Sequence, residues 1–342
     1  MKVVVLGGGI AGVFTAYFLR EAGLDVVGVG GELVYPLSSL VLTQSMPYGE
    51  DVELARRSLE IYRRFVEPRE VVSVDILPRW VDLSRLTTPH EVTDRVEGLR
   101  LSPDEVAVIT RDYLIPVRRI VARLRKELGF TDSYGLLKVR DGRAFVVADG
   151  KRIGGDVVVL AAGYRNSILA REAGLALPLE PYECYAVLYI VGRRLWRYSV
   201  GDYVLGWYGR PAAPPLYIAG DGCGRLGQGP PPNYVRRITA LIRQRGVPAL
   251  PLYLKTGYCE VGPHGGPLYG QHLAVENLYV IGGFDGYGSM VGPALAERLA
   301  KLIGGRGSDD EFRLERYLDA KPFNPCEVAE RHDWGAVLLR NT

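Results

Sequence analysis

The first thirty residues pass from an unbroken apolar run, through a glycine cluster, into a stretch with helical spacing. Lys2-Val-Val-Val-Leu6 carries no polar position after its first residue, as a strand buried on both faces requires. Gly7 to Gly12 is a turn, Ala11 to Ala22 keeps a 3.6-residue period and stops at Gly23, and Asp25 to Val29 is the next parallel strand. The spacing predicts a β-α-β unit over residues 2–30. Lys2 ahead of an apolar stretch resembles a signal peptide, but the glycines interrupt it where a signal helix is continuous, so the segment reads as structure.

Further along, residues 52–66 form an amphipathic helix closed by Pro68, and residues 70–110 show no dominant period and receive no assignment. Val117, Ile120, Val121, Leu124 and Leu128 lie on one helical face between Pro116 and Gly129. Residues 134–160 read as a β-meander with turns at Asp141-Gly142 and Asp149-Gly150, ending in the apolar strand Val157–Leu160. From 181 to 262 aromatics and prolines are dense. Strand-like runs at Ala186–Val191, Tyr203–Tyr208 and Leu216–Ala219 accompany one helix over 233–245, which predicts an antiparallel sheet under a covering helix. Leu278–Ile281 is another buried strand, followed by a glycine-rich loop and a helix from Pro293 to Ile303.

The expected class is α/β: a Rossmann-like domain into which an antiparallel-sheet domain is inserted. The boundaries are 1–75, 110–180 and 263–342 for the first domain, and 76–109 with 181–262 for the second. With 342 residues, 47% hydrophobic and 24% charged, the chain is long enough for both cores. A net charge of +3 is no nucleic-acid footprint, and no apolar run reaches membrane-spanning length. Of 42 basic residues 35 are Arg, and Gln, Asn and Met are scarce, which fits a thermophile and equally a GC-rich genome. Cys184, Cys223, Cys259 and Cys326 show no metal-ligand spacing, so no metal is expected.

The chemistry sits in the glycine clusters. Gly7-Gly8-Gly9-Ile10-Ala11-Gly12 is a GxGxxG between a strand and a helix: Gly7 for the tight turn, Gly9 for close approach of a pyrophosphate, Gly12 for helix–strand packing. The amides of Ile10 and Ala11 open the helix toward the phosphates. An acid should end the second strand to bind ribose; Gly30 stands there and Glu32 is the nearest acid, so either the strand end is re-routed and Glu32 reaches the ribose, the favoured arrangement, or backbone holds it. The strand over Val157–Leu160 ends in a small-residue turn at Ala162-Gly163. A second glycine loop, Gly283-Phe284-Asp-Gly286-Tyr287-Gly288-Ser289-Met290, opens the last helix. Two cradles on one sheet suit a ligand with two ends, and FAD fits: pyrophosphate on the first loop, the flavin N1/O2 edge on the second.

The chain resembles the D-amino-acid oxidase (DAO) family of FAD-dependent oxidoreductases, which includes glycine and sarcosine oxidases and archaeal dye-linked proline dehydrogenases. The resemblance rests on the fingerprint, the Val157–Gly163 strand and turn, Leu177–Pro181, Tyr217-Ile218, the Gly257–Gly270 stretch and the closing GGFDGYGSM segment. It implies a GR2-type flavoprotein with substrate between the flavin and the antiparallel sheet. It also implies hydride transfer from a carbon bearing nitrogen to flavin N5 and release of an imine. Ser38 and Ser39 fall where the family's loop touches pyrophosphate and flavin. Tyr217 matches a tyrosine that helps hold the substrate carboxylate in some members.

The departures are informative. Counting back from Pro263, Cys259 stands where the family often has a carboxylate-binding Arg. His264 replaces an Asp, and Met290 replaces the flavin-facing Lys of the sarcosine-oxidase branch. Either a different Arg meets the carboxylate or the substrate has none. Without Lys at 290 a quinone or protein acceptor is expected in place of oxygen, hence a dehydrogenase. The expected setting is cytoplasmic, or peripheral at a membrane if quinone-linked, with an oligomer compatible. The other reading is a non-catalytic or electron-transfer flavin subunit of a multi-subunit dye-linked dehydrogenase.

Overall fold

The computed structural model describes residues 1–31, 39–40, 49–222, 224–307 and 309–321. Glu32, Ser38, Cys223 and Cys326 lie outside the described residues. The chain opens with β1 (Lys2–Leu6), α1 (Ile10–Glu21), β2 (Asp25–Val29), β3 (Ser39–Leu40) and α2 (Gly49–Arg63). Next come β4 (Arg69–Pro78), β5 (Glu91–Thr93), β6 (Glu105–Ile115) and α3 (Val117–Glu127). The middle holds β7 (Leu136–Arg140), β8 (Arg143–Ala148), β9 (Lys151–Ile153), β10 (Val157–Leu160), α4 (Asn166–Glu172) and β11 (Glu180–Val191). Then follow β12 (Tyr198–Asp202), β13 (Trp207–Pro211), β14 (Leu216–Gly220), α5 (Tyr234–Gln244) and β15 (Ala249–Val261). The chain continues with β16 (Leu268–Gln271), β17 (Leu278–Gly282) and α6 (Gly288–Ile303).

Two compact units share these elements. Of the described residues, those within 1–37, 116–182 and 258–324 form unit 1, and those within 38–115 and 183–257 form unit 2. The expected boundaries had assigned the segments 38–75 and 110–115 to the first domain. The described residues of both fall in unit 2, because β4 pairs antiparallel with β6 from Arg69 opposite Leu114 to Pro78 opposite Glu105. These two long strands fill much of the stretch that had no assignment. Their periodicity is hidden by polar residues that are buried: Ser73, Asp75, Thr110 and Asp112.

In unit 1 a five-stranded sheet runs β16-β17-β10-β1-β2, with β17, β10, β1 and β2 parallel and β16 antiparallel to β17. Val3, Val4, Val5, Val158, Val159 and Leu160 are fully buried, the two-faced burial their apolar runs predict. The meander β7-β8-β9 forms a sheet of its own. β10, expected as its last strand, instead lies between β1 and β17. The last helix begins at Gly288 rather than Pro293, which sits inside it. Gly288, Ser289 and Met290 therefore belong to the first turn of α6, and the glycine loop ahead of it is short.

Unit 2 is built on a sheet ordered β15-β11-β14-β13-β12-β4-β6-β3, with β5 beside β6. α5 covers one face, where Ile238 and Ile242 pack with Val187, Tyr189, Tyr217 and Ala219. Among the described residues no helix is long and apolar enough to cross a membrane.

Candidate cofactor-binding site

The chain runs from β1 outward to β2 and returns on the other side of β1 through β10. The carboxyl ends of β1 and β10 therefore flank a topological switch point, the place where open α/β sheets bind ligands. The loop between β1 and α1 is shaped by close packing. Gly7 has φ +127°, and a Cβ there would overlap the Ala161 carbonyl at the end of β10. A Cβ on Gly12 would overlap the Gly7 carbonyl oxygen. Both glycines thus bring α1, β1 and the β10 turn into contact, as the fingerprint implies. Gly9 is the N-cap residue of α1, which has no side-chain cap and no acidic residue in its first turn. Ile10 and Ala11 are buried behind it. The first-turn amides and the positive end of α1 suit a phosphate.

A residue absent from the motif holds this loop in shape. Arg125, on α3 and almost fully buried, donates from Nη1 to the Gly8 carbonyl (3.3 Å) and the Gly31 carbonyl (3.0 Å). Its Nη2 donates to the Gly30 carbonyl (3.2 Å) and to Asp132 Oδ1 (2.6 Å). A Cβ on Gly8 would displace Arg125 Nη1 from its carbonyl partners, whereas Gly7 and Gly12 face backbone that cannot give way. Gly30 is explained too: a Cβ there would overlap the backbone of Gly8. The expected acid at the end of β2 is missing because the two backbones touch at that point. Arg125→Met should strand three glycine carbonyls and lower dinucleotide affinity by roughly tenfold or more, the scale of one to two lost charge-assisted hydrogen bonds. A cofactor titration with the purified variant checks this; an unchanged Kd would remove Arg125 from the site.

The second cradle is tied to the turn after β10 by a polar hub. Asn166, at the start of α4 and fully buried, accepts from the Ala162 amide (2.7 Å). Its Nδ2 donates to the Ile281 carbonyl at the end of β17 (3.1 Å) and to Glu260 Oε2 (2.9 Å). The same carboxyl oxygen accepts from the Gly283 amide at 3.2 Å, and the Glu260 carbonyl accepts from Asp285 N at 2.8 Å. Ala162, Gly163, Gly283 and the loop to Tyr287 are thereby one assembly. Burial pushes the Glu260 carboxyl up to about 8, against bonds from Gly283, Asn166 and the Ser167 backbone that favour the anion. Burial likewise pushes Asp285 up to about 7, opposed by the Tyr182 hydroxyl that donates to it.

Other expected site residues take definite places. Gly283 (φ +74°) and Gly286 (φ +83°) hold the left-handed turns of the loop. Phe284 bridges Val261, and Tyr287 donates to the Gly265 carbonyl at 3.3 Å. Met290 N bonds the Tyr287 carbonyl (2.8 Å), with Gly288 and Ser289 before it in α6. Cys259, partly buried near the end of β15, comes beside this loop: a Cβ on Gly286 would sit 3.9 Å from its sulfur. Ser39 opens β3 opposite Ile115, in unit 2. Tyr217 is fully buried in unit 2 on the face that α5 covers, which raises its pKa. On β13 next to it, Arg210 pairs with Ile218 on the opposite face of that sheet, and burial lowers its pKa to about 10. Arg125, Asn166, Glu260, Asp285 and Arg210 were not singled out from the sequence. Their partners are distant in the chain and no local spacing marks them.

The family model for FAD-dependent oxidoreductases of the DAO type matches residues 2–302. The chain belongs to this family. Its cofactor is FAD, and the uncapped α1, the Gly7/Gly12 cradle and the hub-tied glycine loop fit that molecule's phosphates and ring. Among solved structures the chain is similar to L-proline dehydrogenase from P. horikoshii, with a TM-score of 0.77 and 21% identity over 96% of this chain and 98% of that one. Glycine oxidase from Geobacillus kaustophilus gives 0.75 and 17%, over 92% and 99%. Iminodiacetate oxidase from Chelativorans sp. BNC1 gives 0.73 and 19%, over 94% and 99%. At these identities the likeness is one of fold. No curated protein matches the sequence.

Proposed function

We propose that this FAD-dependent oxidoreductase oxidises the C–N bond of an amino acid or amine. The observation that carries the reading is the pair of cradles at the carboxyl edge of one parallel sheet, the first packed on the turn after β10 at Ala161 and the second tied to that turn through Ala162, Asn166, Glu260 and Gly283. Solved structures of like fold whose names specify proline, glycine and iminodiacetate support the substrate class. Bound FAD supplies a hydride acceptor at N5. The substrate carbon gives up hydride, its nitrogen loses a proton and forms C=N, and water hydrolyses the released imine to a carbonyl and an amine or ammonia.

The chain's own residues do the holding. Amides of Gly9, Ile10 and Ala11 at the start of α1 take the pyrophosphate, Arg125 keeps their loop in shape, and Glu32, Ser38 and Ser39 complete the nucleotide side. The loop Gly283–Tyr287 and the first turn of α6, through Met290, present amides to the flavin's pyrimidine edge, where charge gathers on reduction. Cys259 borders the loop, and Tyr217 is kept as a substrate-domain residue. With Met290 in that first turn, a quinone or a protein is the favoured acceptor over oxygen, in a cytoplasmic or peripheral membrane setting.

The test is the anaerobic absorption spectrum of the FAD-loaded protein as amino acids and amines are added. Bleaching of the flavin bands by one compound class is the expected result and names the substrate. Bands that survive every compound would transfer the assignment to an electron-transfer flavin subunit, the reading that Cys259 and Met290 in place of the usual anchors favours. Fast reoxidation by oxygen with peroxide release would overturn the dehydrogenase preference.

A further inference from the structure

Glu260 carries more than a packing role. It is buried at the end of β15, where its Oε2 accepts from both Asn166 and Gly283. Its Oε1 has no hydrogen-bond partner among the described residues. A carboxylate with one bonded and one stranded oxygen, out of reach of water, is a poor home for a charge and a good one for a proton. The carboxyl group also sits in a crowded place: a Cβ on Gly282 would lie within 2.5 Å of both Asn166 Nδ2 and Glu260 Oε2, so the acid fills the space beside that glycine.

The neighbouring groups can be named element by element. Beside it on β15 stand Cys259 and Tyr258, the latter stacked on Tyr164 at 4.8 Å. From the glycine loop comes Asp285, whose own carboxyl receives the Tyr182 hydroxyl from β11. From α4 come Asn166 and Ser167, neither of which titrates. Burial, rather than a neighbouring charge, is the chief influence on Glu260.

We propose that Glu260 is a positioning residue for the flavin-facing loop, acting as a neutral carboxylic acid whose ionisation weakens the hold on FAD. The proposal rests on the FAD reading of the two cradles. While protonated, the group ties Gly283 to the Asn166 turn without adding charge. Once ionised it places a buried negative charge behind amides aimed at an electron-rich flavin edge, and the loop's affinity for that edge drops. The carboxyl stays protonated to about pH 8, so the effect appears on the alkaline side. The sign for folding follows the same proton. The unfolded chain loses it near the ordinary carboxylate range while the folded chain keeps it. Glu260 therefore subtracts stability progressively as pH rises from about 4.5 to about 8, and by a constant amount above.

The experiment is FAD titration of the apoprotein between pH 6.5 and pH 9.5, roughly one and a half units either side of the transition, with Glu260→Gln and Glu260→Ala alongside. For the native chain Kd should rise about tenfold across the range, the factor expected for a one-unit coupling between cofactor and proton. Glu260→Gln keeps an oxygen acceptor and cannot ionise, so it should match the native Kd at pH 6.5 and change less than about twofold thereafter. Glu260→Ala should bind weakly at every pH. A Gln variant that retains the full alkaline loss, or that is as weak as the Ala variant at pH 6.5, overturns the proposal. A native chain that binds FAD with a flat profile overturns it too, while one that takes up no FAD fails the cofactor reading itself.

Discussion

Arg245→Met is expected to lower stability by about 3–5 kcal/mol at neutral pH, the cost of removing one partner from a buried ion cluster. In unit 2, Arg245 donates from Nε and Nη2 to the two oxygens of Asp202 at 2.7 and 2.8 Å. Its Nη1 and Nη2 reach Glu105 at 2.6 and 3.0 Å, and Nη1 also reaches the Arg100 carbonyl at 3.0 Å. All three side chains are almost wholly buried, with 4%, 5% and 0% exposure for Arg245, Glu105 and Asp202. Burial works against the Arg245 cation, but bonds from both acids outweigh it and raise its pKa. Burial also resists the Glu105 anion, and Arg245 with the Ser102 amide overcomes it and lowers the pKa. A lowered carboxylate contributes stability that is present above its unfolded pKa and lost as pH falls through the folded one. The native chain should therefore weaken on acidification. The variant, in which Glu105 has lost the cation that lowers its pKa, should instead lose less relative to its neutral-pH value on acidification. A melting point lower by about 10 °C at pH 7, narrowing toward pH 4.5, is the expected calorimetric result. A shift under about 2 °C would show that the cluster carries little.

Gly12→Val should abolish useful FAD binding while leaving most of the secondary structure in place. The first branch atom of any side chain at 12 would occupy the space of the Gly7 carbonyl oxygen and lie 3.4 Å from Ala161 Cβ. Helix α1 must then move away from β1, taking the amides of its first turn with it. Overpacking of this kind costs about 1–3 kcal/mol, and the displaced phosphate cradle adds to that. A rise in Kd of roughly a hundredfold or more corresponds to about 2.7 kcal/mol. Flavin fluorescence on titration gives the number, and far-UV circular dichroism separates a lost site from a lost fold. A variant that is folded and binds FAD within about threefold of the native chain would contradict the packing argument.

These two sites differ in how far the sequence announces them. The glycine fingerprint is local: six consecutive residues between an apolar strand and a 3.6-period helix define the turn, because the constraint is backbone clearance within one β-α unit. The same holds for the hairpins at Asp141-Gly142 and Asp149-Gly150. All four of these residues adopt positive φ, which the tight two-residue turn demands. Arg245, by contrast, reads as one of four arginines on a solvated helix face, Arg236, Arg237, Arg243 and Arg245. It turns inward because Glu105, 140 residues away, and Asp202, 43 away, meet it in the core. Arg125 looks like a surface position of an amphipathic helix until Gly8, 117 residues earlier, is found under it.

By itself, then, the sequence determined the class of the fold, the first β-α-β unit, the strand over Val157–Leu160, the helix on α3 and both glycine cradles. Each follows from short-range periodicity or from backbone geometry within a few residues. Only the tertiary structure decided that β4 and β6 are long paired strands, that residues up to 115 go with unit 2, and that α6 starts at Gly288. It alone decided that Arg125, Asn166 and Glu260 bind the loops together. Buried polar residues find partners across a hundred positions of chain. Their energy comes from desolvation and hydrogen bonding in the folded core, which leaves no period in the sequence to read.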